Sequence, residues 1–381
     1  MNTRIKKNQA GFSMIELLVS IAILITLVGV TLKGLMDAQN ASQAVGLMAD
    51  MNQNLRASLL YMSRDFTQAG EGIPQGGIPY PQGGTAKKIN WPAPSGKSYT
   101  YPLAAPMPQS TTLTPLVPAD SLGLTVFGAA TDMISMMYVD NSLIDSNNHM
   151  LNSYPIYSAA SPVCNGTLSS TGASATFDSN CINITGNDGI KAGDLIMFST
   201  STSATPVVQT VTSVSGQTVN FASSDAFNFN GMLTAATSGT LKQLQNGATT
   251  PGGPYPPITA ARVRIVSYWI DNVTNPSVPT LIRQINFNSP YAVGQGIDDL
   301  QITYGIANPS SVGAYGTAGP GNAKYPISPD SPQQIRTVNL FVSARTETPY
   351  APLGNFSAQY FYNNMVTTVC IRSLSFVNRY P

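Results

Sequence analysis

The chain has 381 residues, only 10% of them charged, and a formal net charge of +1. There is no basic field to attract nucleic acid and no acidic tail. Hydrophobic residues at 43% point to a real core rather than disorder, in a chain long enough for one large domain or two ordinary ones.

The first eleven residues carry Arg4, Lys6 and Lys7 and end at Gly11. Phe12 to Leu32 would span about 31 Å as a helix, close to the roughly 30 Å thickness of a bilayer's hydrocarbon. Leu17 to Leu32 is free of charge, and Glu16 stands alone near the start of the run. Basic residues ahead of the run predict a cytoplasmic leader and a C-terminal mass that crosses the membrane. The plain alternatives are a cleaved signal peptide or a simple anchor. An ordinary signal peptide is cut after its apolar region, and Ser42-Gln43-Ala44 lies well beyond this one.

Residues 11–32, GFSMIELLVSIAILITLVGVTL, resemble the N-terminal signature of type IV prepilins and of type II secretion pseudopilins. The resemblance implies a membrane peptidase that cuts after Gly11 and methylates Phe12, the new first residue. Glu16 then becomes the fifth residue of the mature chain, where the family places its glutamate. An ionised carboxylate in hydrocarbon costs several kcal/mol unless it finds a partner or snorkels. A cut before Phe12 creates an amine four residues from Glu16. On an axially shifted neighbour that amine can lie at the depth of the carboxylate. The pair then fixes axial register between packed helices, a specificity use of a buried charge. The alternative is an interfacial glutamate with no partner.

Helix is predicted to continue past the apolar run. Lys33 and Asp37 stand at i, i+4, and Val45, Met48, Met51, Leu55, Leu59, Met62 and Phe66 recur at helical spacing. This stripe is expected to pack on the protein's own sheet rather than in a free coiled coil. Gly29, Gly34 and Gly46 are weak points, and Gly70, Gly72 and Pro74 end the helix. Residues 55–72, LRASLLYMSRDFTQAGEG, resemble the end of the long helix in PilW-type minor pilins. The positions that match are Arg64, Asp65, Gln68, Ala69 and Gly70, which the resemblance marks as a subunit contact or a brace to the head. A solvated helix end is the other reading.

Residues 71–120 are rich in Pro and Gly and read as a long ordered loop or a linker with a short strand. Their proline and tyrosine can also make a binding surface. The remainder, 121–381, reads as a β-rich head. Strands are predicted at DMISMMYVD (132–140), ARVRIVSYWID, TLIRQINF, DDLQITYGIA, RTVNLFVSART and NNMVTTVCIRSLSF. Residues 190–224 read as an inserted β module with a hairpin turning at Ser215-Gly216.

Cys164 and Cys181 bracket a polar loop whose closure by a disulfide would stabilise by roughly 3 kcal/mol. Two unrelated buried thiols are the alternative; Cys370, in an apolar β-branched stretch, is expected to be a buried thiol. No catalytic constellation, cofactor motif or metal site is evident. His149 is the only histidine. Asp140, Asp145, Asn147 and Asn148 could ligate calcium but lack the Gly and terminal Glu of a standard loop. Asp298 and Asp299 are adjacent on a strand and point to opposite faces.

The expected fold is α+β and pilin-like: leader 1–11, helix 12–70, loop 71–120, and an antiparallel β-rich head. The expected function is that of a PilW-type minor pilin at or near the pilus tip, not an enzyme. Such a protein sits in the inner membrane with its head exported to the periplasm, then in an extracellular pilus. The resemblance implies prepilin peptidase, other minor pilins, the major pilin and the assembly platform as partners, and leaves room for a tip adhesin. Two alternatives stay open. One is a minor pseudopilin of type II secretion; the other is a membrane-tethered surface-binding protein or adhesin.

Overall fold

A computed structural model describes residues 11, 13–74, 76–81, 88–102, 112–143, 155–157, 166–185, 189–200, 205–232, 237–246, 258–307, 323–327, 330–350 and 359–375. The leader 1–10, Phe12, Asp145, Asn147, Asn148, His149 and Cys164 lie outside them. The chain divides into two compact units. One holds residues 1–51 with 346–361, and the other holds 52–345 with 362–381.

Helix α1 runs unbroken from Met14 to Gln68, through Gly29, Gly34 and Gly46. It ends at Gln68, just ahead of Gly70 and Gly72, both with positive φ. The stripe holds over Met51, Leu55, Leu59, Met62 and Phe66, all buried. At its upstream end the phase differs from expectation: Ala44 is buried, whereas Val45 is 68% exposed.

Residues 71–120 contribute to the core. They form β1 (Ile78–Pro79), β2 (Ile89–Asn90), β3 (Thr100–Tyr101), β4 (Thr112–Leu113) and β5 (Leu116–Ala119). Tyr80, Trp91, Tyr99 and Tyr101 are buried in one cluster with Ile78, Leu113 and Trp269. Pro and Gly bend this segment into short strands, and its aromatic rings supply the apolar area that fastens it. A free linker does not fit the described residues of this segment.

The chain continues through β6 (Thr125–Val126), β7 (Ala129–Ala130), β8 (Met133–Val139), β9 (Pro155–Tyr157), β10 (Thr167–Leu168) and β11 (Ser174–Thr176). Then come β12 (Leu195–Thr200), β13 (Val207–Thr210), β14 (Ser213–Ser215), β15 (Thr218–Asn220) and the short helix α2 (Leu241–Asn246). The last elements are β16 (Ile258–Asp271), β17 (Thr280–Ile285), β18 (Tyr291–Gln295), β19 (Ile297–Ile306), β20 (Ile335–Arg345), β21 (Tyr362–Cys370) and α3 (Arg372–Ser375). All strand pairings among the described residues are antiparallel.

An eight-stranded sheet is built around β16, whose nearly continuous burial suits a central strand. Along one edge β16 pairs first with β12 and then with β17. Asn286 bridges the changeover: its side chain accepts the Ile265 N–H at 3.0 Å, and its own N–H donates to the Ile265 carbonyl at 2.7 Å. The inserted module differs from its expected bounds. Strand β12 belongs to the large sheet, and VVQTVTSV splits into β13 in that sheet and β14 in another. The module proper is the four-stranded sheet β10-β11-β15-β14, with the β14–β15 turn at Gly216.

The third sheet, β19-β20-β21, comes from the end of the chain. Asn363 on β21 donates to Asn52 of α1 at 2.6 Å. Gly294 of β18 comes so close to the helix that any Cβ there would collide with the Ser58 hydroxyl. The result is an α+β architecture with the second part of the long helix on an antiparallel β-rich head.

Candidate processing and assembly site

Two places on α1 carry the chemistry that the sequence singled out. The first is the N-terminal turn. Ser13 stands just ahead of the helix, and its backbone N–H donates to Glu16 Oε2 at 3.1 Å. This is one arm of a capping box, and a carboxylate there also complements the helix dipole. The Ser-x-x-Glu spacing of residues 13–16 signals this contact in the sequence. Glu16 therefore has a partner within its own chain.

The hydroxyls of the apolar run are satisfied inside the helix. Ser20 donates to the Glu16 carbonyl at 2.7 Å, Thr26 to Ile23 at 2.8 Å and Thr31 to Val28 at 2.9 Å. Backbone and hydroxyl groups thus make no demand on a solvent, as a hydrocarbon environment requires. The helix is long and apolar enough to cross a membrane, and none of its most apolar window is buried by the protein itself. Leu17, Leu18, Leu24, Ile25 and Val30 all face outward. Glu16 is the one ionisable group between Gly11 and Leu32. Gly11 is exposed, and a Cβ added to it would meet nothing within 4 Å. Among the described residues no contact requires glycine at that position.

The second place is the last turn of α1. Asp65 is only 3% exposed and is gripped by Arg283 of β17, with Nε at 2.5 Å from Oδ2 and Nη2 at 3.0 Å from Oδ1. Tyr268 of β16 donates its hydroxyl to Asp65 Oδ2 at 2.6 Å. Arg283 also donates to the Tyr291 hydroxyl and lies over that ring, 5.4 Å from its centroid. Burial works against the Arg283 charge, but Asp65 outweighs it and holds the guanidinium firmly protonated. Burial, reinforced by Asp65, pushes the Tyr268 phenol far above its ordinary value, so it remains a donor. The bidentate fork makes Asp65 the brace between helix and head.

The neighbouring matched positions are placed differently. Arg64 is exposed and, with Gln68 and Glu71, lines a polar cavity of about 320 Å³ that Tyr138, Asp140 and Arg264 close. Ala69 is buried and its carbonyl accepts from the Ser373 hydroxyl; the Gly70 N–H donates to Met137 at 2.8 Å.

Asp140 does not sit in an open ligand loop. Its Oδ2 takes Arg262 Nη2 at 2.7 Å and Arg264 Nη2 at 2.8 Å, while Ser142 occupies Oδ1. Burial raises its pKa, but Ser142 and the two arginines outweigh this and leave it lowered. A carboxylate so occupied is a poor start for a calcium loop. Among the described residues no group of three or more His, Cys, Asp or Glu is placed to hold a metal.

Cys181 is buried after β11, and its expected partner Cys164 is outside the described residues. Cys370 is a free, exposed cysteine, contrary to expectation. Its apolar neighbours suggested burial, but the two-residue period of β21 puts it on the outward row with Tyr362 and Val366. Asp298 lies at a bulge between β19 and β20, while Asp299 accepts from Gln301 at 2.9 Å, and the two make no joint site.

Residues 6–32 match the family model described as the prokaryotic N-terminal methylation motif. No curated protein and no solved structure matches the chain. The match supports a type IV prepilin-like protein.

Proposed function

We propose that this chain is a minor pilin of PilW type, built into a type IV pilus at or near its tip. The observation that carries this is the methylation motif over residues 6–32 on a helix whose apolar run has no cover from its own protein. Prepilin peptidase cuts after Gly11 and methylates Phe12, and the helix remains as the mature N-terminus. It anchors the head on the periplasmic side of the inner membrane until the assembly platform takes it up.

Glu16 changes partner in this scheme. Before the cut its carboxylate caps its own helix through Ser13. In the filament it faces the Phe12 amine of a neighbouring subunit, which sets the axial register. Asp65 and Arg283 transmit the position of the helix to the head, as a bidentate buried pair holds one geometry.

A minor pseudopilin of a type II secretion system would share this N-terminal physics and is the second reading. A tethered adhesin is less favoured, because Tyr80, Trp91, Tyr99 and Tyr101, the aromatic candidates for its binding surface, are buried. The deciding experiment is fractionation. Sheared pili from cells that express a tagged chain should contain it in the processed form. Its confinement to membranes, with pili otherwise normal, would reject the pilin assignment.

A further inference from the structure

Opposite charges stand at both ends of the apolar run, and at both ends their spacing is the same. The amine that a cut after Gly11 would leave on Phe12 precedes Glu16 by four residues, and Lys33 precedes Asp37 by four. Each member of the second pair follows its counterpart in the first by 21 residues, about 31 Å of helix and three heptads. Helix α1 is unbroken from Glu16 through Asp37.

Lys33 and Asp37 are one turn apart, a spacing at which ion pairs form within a helix. Here they do not pair. Among the described residues neither has an ion-pair partner. Lys33 is exposed and Asp37 partly so, just past the charge-free stretch that ends at Leu32. Both are therefore open to a neighbouring helix at the edge of the hydrocarbon.

We propose that α1 of a second copy packs parallel to this one, displaced by four residues, so that Lys33 of the displaced copy meets Asp37 of the other. The inference rests on the pilin reading, because the same displacement, about 6 Å, brings the Phe12 amine to Glu16. Two copies lying level would set Glu16 on Glu16, Lys33 on Lys33 and Asp37 on Asp37, each a like-charge contact. Displacement by four makes the contacts unlike at both ends of the run. The other charges then face neutral positions: Glu16 and Asp37 of the displaced copy fall opposite Ser20 and Ala41, and Lys33 of the other falls opposite Gly29. On a straight helix the two pairs differ in direction by about 60°, a gap that the lysine stem spans. Both helices run the same way, so both apolar runs share one bilayer. The contact is heterologous and leaves one Lys33 and one Asp37 unused, so a further copy can add in the same manner.

The test is disulfide trapping in membranes of cells that express two differently tagged full chains, both Cys370→Ser. Val30→Cys goes in the first and Gly34→Cys in the second. Both positions are exposed, keep the four-residue offset and lie five helical turns beyond Phe12 and Glu16. Oxidation should join 30 to 34 about fivefold more than 30 to 30 or 34 to 34. Lys33→Glu in the first chain should cut the 30–34 product about fivefold, and Asp37→Lys in the second should restore it. Asp37→Lys placed in the first chain instead keeps unlike charges within that helix and should not restore it. Level cross-links that match or exceed 30–34 overturn the proposal. So does a 30–34 product indifferent to these charges, rescue by the change within the first chain, or capture of position 30 only by a different protein. The pilin reading has its own readout in the same membranes, the mass of the mature N-terminus, so the two can fail separately.

Discussion

Asp65 and Arg283 lie 218 residues apart in the chain and meet as a buried two-point ion pair, with Tyr268 completing the shell of the carboxylate. Removing one charge strands the other. Asp65→Ala is expected to destabilise the head by about 3–5 kcal/mol, whereas Asp65→Leu with Arg283→Met should cost far less than either single change. Urea unfolding of the two single variants and the double variant measures this. Additive losses would show that the two side chains do not act as a pair.

Acid should stabilise the head mildly before it unfolds it. Burial pushes the Asp132 carboxyl up to about 6 against the N–H groups of Ser121 and Ile302, and it also raises Asp194 and Asp298. A folded pKa above the unfolded value contributes stability that is present at low pH and lost as pH rises through it. Asp132 alone should thus add about 1 kcal/mol between pH 7 and pH 5. Asp140, lowered by Ser142 and its arginines, has the opposite sign and loses its contribution as pH falls below about 4. The urea midpoint should be higher at pH 5 than at pH 7; a lower midpoint would contradict these assignments.

Gly11→Ala should slow leader removal, visible as a larger band on an immunoblot. A Cβ at Gly11 touches nothing among the described residues, so a defect there reports on the peptidase and not on folding.

Glu16→Val should leave processing intact and reduce the amount of chain in sheared pili at least tenfold. The helix loses only one arm of its cap, worth about 1 kcal/mol, which is too little to unfold 55 residues. Normal incorporation would remove the register role.

A Cys164–Cys181 bond should appear in a non-reducing peptide map, and Cys181→Ser should cost roughly 3 kcal/mol by loop closure. Free thiols at both positions in exported protein would exclude it.

What the sequence shows and what it hides divide by distance along the chain. The helix, its end at Gly70 and the long strands β16, β17, β19 and β20 are local patterns of apolar spacing and turn residues. Ser13–Glu16 is local too and was available from spacing alone. The partners of Asp65 come from β16 and β17, and nothing near Asp65 in the sequence names them. The assignment of β12 to the large sheet depends on pairing with β16, again a distant strand. Cys370 shows the limit of composition: its neighbours are apolar, but position within an edge strand decides which face it takes. In residues 71–120 the Pro and Gly content conceals aromatic residues that the core recruits.

The most direct test of the account is peptide mass spectrometry of the mature N-terminus from purified membranes or pili. The account predicts a chain that begins at Phe12 and carries one added methyl group on its amine. A mature chain that starts at any other residue would leave Glu16 without its donor and contradict the assignment.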